Sequence, residues 1–296
     1  MPKDSSSNSK ITELRKRYYQ VCVGKENLLA LISETEVAEQ VYNSNAIENS
    51  TLTFEETEKI LLQIDLDRFL NQREMFEAKN LARVVSYINQ KATTREFNLD
   101  LILDLHKMLI SNIRDEVAGR FRKLDEWVRV GSHIAADPKE VVNLLTQSIA
   151  QYHAEIDQTI SKRLATFHLR FENIHPFVDG NGRIGRVLNN FLLLKEGFVP
   201  INIKFIDRDK YYDAFAEFDR NQKTDLMEEI ITKALTNSYH KRIAYLEGKK
   251  IIGLKEYTKK TGISLSNAIN KANRQTIEAF LEKGVWRIGV EYLETL

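Results

Sequence analysis

The chain has a single cysteine, Cys22, so no disulfide can form within it; a lone thiol of this kind is expected as a small core residue rather than a nucleophile. Only four of its 296 residues are proline, which leaves few points where a helix must stop. No apolar run approaches the length of a membrane span, and the opening M-P-K-D-S-S-S-N-S-K has no apolar signal core. The expectation is a soluble, cytoplasmic chain with no membrane partner, whose first ten or so residues are disordered. Charge of one sign is also missing: 43 Lys and Arg face 42 Asp and Glu, a net +1, so nothing draws the whole chain toward nucleic acid or membrane. Histidines and cysteines do not cluster at metal-ligand spacing, and a zinc site is not supported. What is present, 29% charged and 43% hydrophobic residues, suits one large domain with a smaller module.

Abundant Leu, Ile, Glu and Lys make the chain read as mainly helical. Ser33 with Glu36 and Thr53 with Glu56 have capping-box spacing, Asn98 opens an apolar-periodic segment, and Asp137-Pro138 with Glu140 is a further start. A helix is expected over 34–49, with Ser44 and Glu48 four apart on one face and Ile47 beside them for packing; spacing alone allows a solvated carboxylate near a helix end. Leu61, Leu62, Phe69, Phe76, Leu81, Val84, Val85 and Ile88 are expected core, and His106 a satisfied core histidine. Over 126–135, E-W-V-R-V-G-S-H-I-A alternates apolar and polar residues, the period of a strand, with Gly131 as a turn. Helices follow over 138–157 and 161–173; Leu164, Phe167, His168 and Phe171 share a face, so His168 is expected to be packed rather than catalytic. A long helix over 225–246 closes the domain.

The densest chemistry lies in I-H-P-F-V-D-G-N-G-R-I-G-R, residues 174–186. Pro176 and the Gly180/Gly182 pair break the incoming helix, and the apolar periodicity of Val187, Leu188, Phe191, Leu192 and Leu194 predicts a new helix from about Asn181 toward Gly197. Gly180, Asn181 and Gly182 then occupy a helix N-terminus, where unpaired N–H groups and the positive end of the dipole favour an anion and glycine lets it approach closely. Arg183 and Arg186 add two cations at that pole, an unfavourable placement unless an anion is expected. Taken singly, each of these residues is readily structural.

Together they resemble, without a mismatch, the signature H-P-F-x-(D/E)-G-N-G-R-x-x-R of the Fic family of nucleotidyltransferases, and the resemblance extends over roughly 35–240. It implies a multi-helix domain with a small β-hairpin flap. It implies AMP transfer from ATP to a Ser, Thr or Tyr hydroxyl of a target protein, with release of pyrophosphate. His175 would be the base, Asp179 the Mg2+ ligand, and Gly180, Asn181, Gly182, Arg183 and Arg186 the phosphate site. D-R-D-K-Y-Y-D-A-F-A-E-F-D-R-N resembles the segment lining the adenine pocket, with Tyr211, Tyr212 and Asn221 as candidates, though both tyrosines fit the core equally well. The flap is assigned to 127–136, with Val128, Val130 and His133 as target-binding residues. S-x-x-x-E-(G/N) at Ser44, Glu48 and Asn49 is similar to the family's inhibitory motif, which implies that Glu48 pairs with Arg186 and competes with ATP. Removal of AMP at the same site, or transfer of another group, is equally compatible with the signature, and a homodimer is left open.

From Lys249 onward nine basic residues face five acidic ones, which leaves +4 in an otherwise balanced chain. L-K-E-Y-T-K-K-T-G-I-S-L-S-N-A-I-N-K-A-N-R has the layout helix, glycine turn, helix, with Ile263, Ala268 and Ile269 facing inward. Another helix is expected over 275–284, then a short hairpin or wing. The module looks like a winged helix-turn-helix, with 264–274 as recognition helix and Asn267, Asn270, Lys271 and Arg274 as DNA contacts; a helical docking module explains the pattern nearly as well. The expected division is an N-terminal extension over 1–32, a Fic domain over 33–247 and a winged-helix-like module over 248–296. A DNA-binding regulator with a nucleotide-sensing core is the alternative function.

Overall fold

The computed structural model describes residues 4–64, 66, 71–130 and 133–291, with the backbone alone described at 4–8 and 133. Contacts gather the chain into two compact units, 37–231 and 1–36 with 232–296. The N-terminal extension and the C-terminal module, separate in the sequence reading, therefore fall in one unit.

The chain starts with α1 (Asp4–Cys22) and α2 (Glu26–Ile47). The expected disordered start is helical from Asp4, with Ile11 and Leu14, three apart on one face, both buried. Cys22 is half-buried at the end of α1 and is not a core residue. Helix α2 runs unbroken through Ser33–Glu36. No capping box forms there because the buried Glu36 carboxylate is taken by Arg242 and by Lys241 at 3.4 Å.

In the unit 37–231 the local start signals mostly hold. Thr53 and Glu56 form a reciprocal capping box on α3 (Phe54–Leu61). After α4 (Gln72–Lys91), Asn98 accepts from Leu101 N at 3.0 Å to open α5 (Leu99–Ile110). Leu81, Val84, Val85 and Ile88 are buried as expected, and Leu61 and Phe76 are half-buried. Leu62 is exposed just past the end of α3, and Phe69 lies outside the described residues. Strands β1 (Arg129–Val130) and β2 (His133–Ile134) pair antiparallel, Arg129 opposite Ile134. Helix α6 (Val141–Ala154) begins later than expected, because Asp137 first closes a turn by accepting from Lys139 N at 2.9 Å. Then come α7 (Ile160–Ile174), α8 (Asn181–Lys195), α9 (Arg208–Asn221) and α10 (Asp225–Leu246).

Helix α8 is the axis of this unit. Every residue from Arg183 to Leu193 is buried, and the helix packs against α4, α5 and α7, the pattern of a helix enclosed on all sides. The loop leading into it is anchored by Phe177, fully buried and stacked on His106 with ring centroids 3.6 Å apart.

In the other unit β3 (Lys250–Gly253), α11 (Leu254–Thr261), α12 (Leu265–Asn273), β4 (Ala279–Glu282) and β5 (Val285–Val290) follow, with sheet order β3-β5-β4 and all pairs antiparallel. The helix expected over 275–284 is instead strand β4. Ala279, Phe280 and Leu281 are all buried, and Lys283 and Gly284, both at positive φ (48° and 75°), make a two-residue hairpin turn into β5. Ala268 and Ala272 of α12 meet Ile252, Leu254, Ala279 and Ile288 in a small core, with Ile263 and Ile269 packed against it.

Replacing Phe177 by Ala leaves a cavity under the loop and is expected to cost about 3–5 kcal/mol, read as a lower urea midpoint with an unchanged slope.

Candidate active site

His175 takes the residue position just after α7 in the left-handed region, φ 50° and ψ 63°. This turn is locked from behind by Arg122. Its guanidinium donates to the carbonyls of His175 (2.8 Å), Ile174 (3.2 Å), Glu126 (2.9 Å) and Ala136 (2.7 Å). One buried cation thus closes the C-terminus of α7 and fastens both roots of the β1–β2 hairpin. Sequence reasoning passed over Arg122, since nothing local marks an arginine whose partners lie 52 residues on.

The loop 176–180 is shaped from within. Asn181 accepts from Phe177 N and donates to Phe177 O, both at 2.9 Å. His106 is the satisfied core histidine expected: Gly119 N donates to Nδ1 at 3.0 Å, so Nε2 carries the proton and donates to Asp179 O at 3.0 Å. Burial pushes its pKa down to about 4 and keeps it neutral. Gly180, at φ 85°, is the N-cap of α8, and no side chain caps that end, so the first-turn N–H groups face the site.

The two arginines have different partners. Arg183 lies 3.1 Å from both Glu77 and Asp179. Asp179 also accepts from Arg73 at 2.7 Å. Arg186 is buried and donates to Ser44 Oγ (3.0 Å), Ser44 O (2.8 Å), Glu48 Oε1 (2.9 Å) and the Tyr211 hydroxyl (3.2 Å). Glu48 follows α2 directly, and Asn49, at φ 67°, ends that helix with Asn49 N donating to Ala46 O and Ser50 N to Asn45 O, both 3.0 Å. Asn49 thus supplies the left-handed residue just after Glu48, whose carboxylate lies on Arg186. Arg208 holds the turn through Ile47 O (3.0 Å) and Asn49 Oδ1 (2.7 Å). Glu48 also lies over the start of α8, since a Cβ on Gly182 would meet its Oε1 at 2.2 Å.

These groups border a cleft of about 430 Å³ lined among others by Glu48, Arg129, Val130, Glu172, His175, Gly182, Tyr211 and Tyr212. Tyr211 is buried, bonded to His168 Nε2 at 2.7 Å and to Arg186. Tyr212, 40% exposed, donates to Ile47 O at 3.1 Å. Asn221 is exposed at the end of α9 and does not line the cleft, whereas Asp219, two residues earlier, does. The hairpin strands span 129–134 rather than 127–136, Val128 extends the pairing by accepting from Ala135 N at 3.0 Å, and the tip at 131–132 lies outside the described residues, as does the His133 side chain. His168 is fully buried and its pKa is pushed down to about 3 by burial and by Arg186, which fits a packing role. Among the described residues no cluster of three or more His, Cys, Asp or Glu offers a metal site, and no helix is long and apolar enough to cross a membrane.

A second carboxyl that the sequence did not single out stands beside the histidine. Glu172 is buried, its Oε2 is 3.9 Å from His175 Nδ1, and burial with the neighbouring Glu48 raises its pKa to about 8. Its folded pKa lies above its unfolded value of 4.5, so its contribution to stability is complete below pH 4.5 and is lost as pH rises through 8. Glu172→Gln removes this slope. The variant is expected to gain on the wild type between pH 5 and 8, by on the order of a few kcal/mol, measured by urea unfolding at both ends of that range.

Residues 96–193 match the Fic/DOC family. The chain is 28% identical over 218 residues to the protein adenylyltransferase Fic of Nematostella vectensis, covering 71% of this chain and 49% of that one. It is 31% identical over 180 residues to the protein of that name in Drosophila melanogaster, covering 59% and 36%. The chain thus spans half or less of the length of these curated relatives. Among solved structures, a Fic domain containing signaling protein from Bacteroides thetaiotaomicron superposes with a TM-score of 0.72 at 24% identity, covering 81% of this chain and 97% of that one. A Fic family protein from Desulfovibrio desulfuricans G20 does so with 0.67 at 18%, covering 99% and 98%; at these identities the likeness is one of fold. Over residues 96–193 the chain is thus similar to the Fic/DOC family, and its fold is like that of solved Fic proteins.

Proposed function

We propose that the protein is a self-inhibited adenylyltransferase that moves AMP from ATP to a Ser, Thr or Tyr hydroxyl of a target protein. The observation that carries this reading is the convergence of His175, Asp179, Arg183 and Arg186 on the uncapped N-terminus of α8, with Glu48 seated on Arg186. The printed name of the relatives, protein adenylyltransferase, supports it. His175 Nδ1 faces Glu172 O at 3.3 Å, which favours the tautomer with Nε2 bare and ready to accept a proton. The target hydroxyl gives that proton to His175 while its oxygen attacks the α-phosphorus, and the bond to the β-phosphate breaks to release pyrophosphate. The first-turn N–H groups of α8 absorb charge on the phosphates, while the Asn181 side chain, bound to both backbone groups of Phe177, shapes the loop that carries them; Arg183 serves the β-phosphate and Arg186 the γ-phosphate.

The carboxylate of Asp179 would hold a Mg2+ ion, which would supply charge neutralisation as pyrophosphate leaves. Arg73, half-exposed, and Arg183 hold that carboxylate in the nucleotide-free protein. Tyr212 and Tyr211 border the adenine end of the cleft. The β1–β2 hairpin, through Val128, Val130 and His133, takes the target backbone by strand addition. Glu48 occupies Arg186 by a charge-assisted pair where a phosphate would bind.

Glu48→Gly is expected to raise AMP incorporation, including self-modification, by roughly tenfold or more, and His175→Ala to lower it by about 10²–10⁴. Intact-mass spectrometry after incubation with ATP and Mg2+ reads both. A Glu48→Gly protein that binds no nucleotide and modifies nothing ends this reading.

A second reading concerns the unit formed by 1–36 and 232–296, and one observation favours it. Asn267, Asn270 and Arg274 are exposed on α12 opposite the buried Ala268 and Ala272, and Lys255, Lys259, Lys271 and Arg274 have no carboxylate within 4.0 Å among the described residues. This face fits a duplex major groove and its phosphates. Replacing Lys271 and Arg274 by Glu is expected to weaken binding to a mixed-sequence duplex and to flatten its salt dependence by about one unit of slope per lost phosphate contact. Fluorescence anisotropy across a salt series reads this, and salt-independent binding unaffected by the variants rejects it.

A further inference from the structure

Glu172 sits in the last turn of α7, three residues before His175. Its Oε1 is buried and has no hydrogen-bond partner, and its Oε2 stands 3.9 Å from His175 Nδ1. The neighbouring helix makes room for it: a Cβ on Gly185 of α8 would lie 2.4 Å from Oε1. An orphaned carboxyl oxygen fitted against a glycine is a costly arrangement for a residue with no task. The charged and titratable groups facing it are Glu48 after α2, Arg186 on α8, Tyr211 on α9, and His168 and His175 at α7 itself. Glu48 and burial disfavour a negative charge on Glu172, and Arg186 favours one.

Those influences are not fixed, because Glu48 is the member of the set that the proposed activity requires to move. We propose that Glu172 is a positioning residue for His175 and that it ties the inhibitory segment to the base: Glu48 in place weakens the support Glu172 gives to His175, and Glu48 withdrawn restores it. This rests on the reading of His175 as proton acceptor. With Glu48 seated on Arg186, Glu172 keeps its proton. With Glu48 gone, burial remains but one source of repulsion is lost and Arg186 is freed, so Glu172 gives its proton to water more readily and presents more carboxylate to the imidazole. The imidazolium formed when His175 takes the hydroxyl proton is then stabilised by an opposite charge about 4 Å away. The inhibitory glutamate in this way governs two steps, phosphate capture at Arg186 and proton removal at His175.

The test is an NMR titration of the His175 ring in the full, nucleotide-free chain, in wild type, Glu172→Gln, Glu48→Gly and the double variant. In the Glu48→Gly background, Glu172→Gln is expected to lower the His175 midpoint by about one pH unit. In the wild-type background, where the glutamine imitates an acid that already holds its proton, the change is expected to be under a third of that. Equal shifts in both backgrounds, or none in either, overturn the proposal. If Glu48→Gly unfolds the chain, Glu48→Gln provides the same comparison. In transfer assays on the Glu48→Gly background, Glu172→Gln lowers kcat several-fold and leaves KM for ATP within twofold; a change confined to KM also overturns it. Because the titration needs no nucleotide, a shift without AMP transfer overturns the activity assigned above and leaves the coupling intact, and transfer without the shift overturns the coupling alone.

Discussion

A buried guanidinium has to be neutralised where it lies, and the arrangement of the Fic site follows from how that is done for Arg186. Leaving its charge unpaired would cost far more than any single contact in the unit contributes. In the nucleotide-free chain its donors go to Ser44, Glu48 and Tyr211. On the proposed function a triphosphate would take the same acceptor position at this pole of α8, as an alternative to Glu48 and not an addition. The placing of Glu48 is set by geometry: α2 ends at Ile47, Asn49 turns the chain, and Arg208 and Tyr212 hold that turn through Ile47 O. Tyr211 binds Arg186 by its hydroxyl and meets His168 on the same atom, so this candidate for the adenine pocket is a buried, direct partner of the arginine.

Much of the site was legible because its logic is local. The signature residues are consecutive, and their roles at a helix start follow from where glycine, asparagine and proline can sit. The capping box at Thr53, the cap at Asn98 and the bounds of α10 were read for the same reason, since each is settled within a few residues. The failures share an opposite cause. Ser33 and Glu36 have the spacing of a helix start, but Glu36 is taken by Lys241 and Arg242, more than two hundred residues away, and α2 runs through. Residues 275–284 carry no strong helix-breaking signal before Gly284, and β4 forms there because Ala279, Phe280 and Leu281 are all buried and pair with β5. Arg122 and Glu172 escaped notice because an arginine or glutamate shows its burial only once its partners are assembled.

The glycines of G-N-G-R-I-G-R show where the local reading of the signature was incomplete. Gly180 needs its positive φ to begin α8, as a turn argument expects. Gly182 and Gly185 are ordinary helical residues, and conformational freedom does not explain them. Each faces a carboxylate: a Cβ at 182 would strike Glu48 and one at 185 would strike Glu172. Two acids therefore approach one helix at positions three apart, each just before an arginine, Arg183 or Arg186. A larger residue at 182 would displace Glu48, and on the proposed function it would obstruct the phosphate as well. At 185 the demand comes from Glu172 and His168, side chains of this chain rather than a ligand. The first glycine of the run thus supplies the turn that begins α8, and the second and third supply the space for two acids, Glu48 and the one that stands behind the histidine.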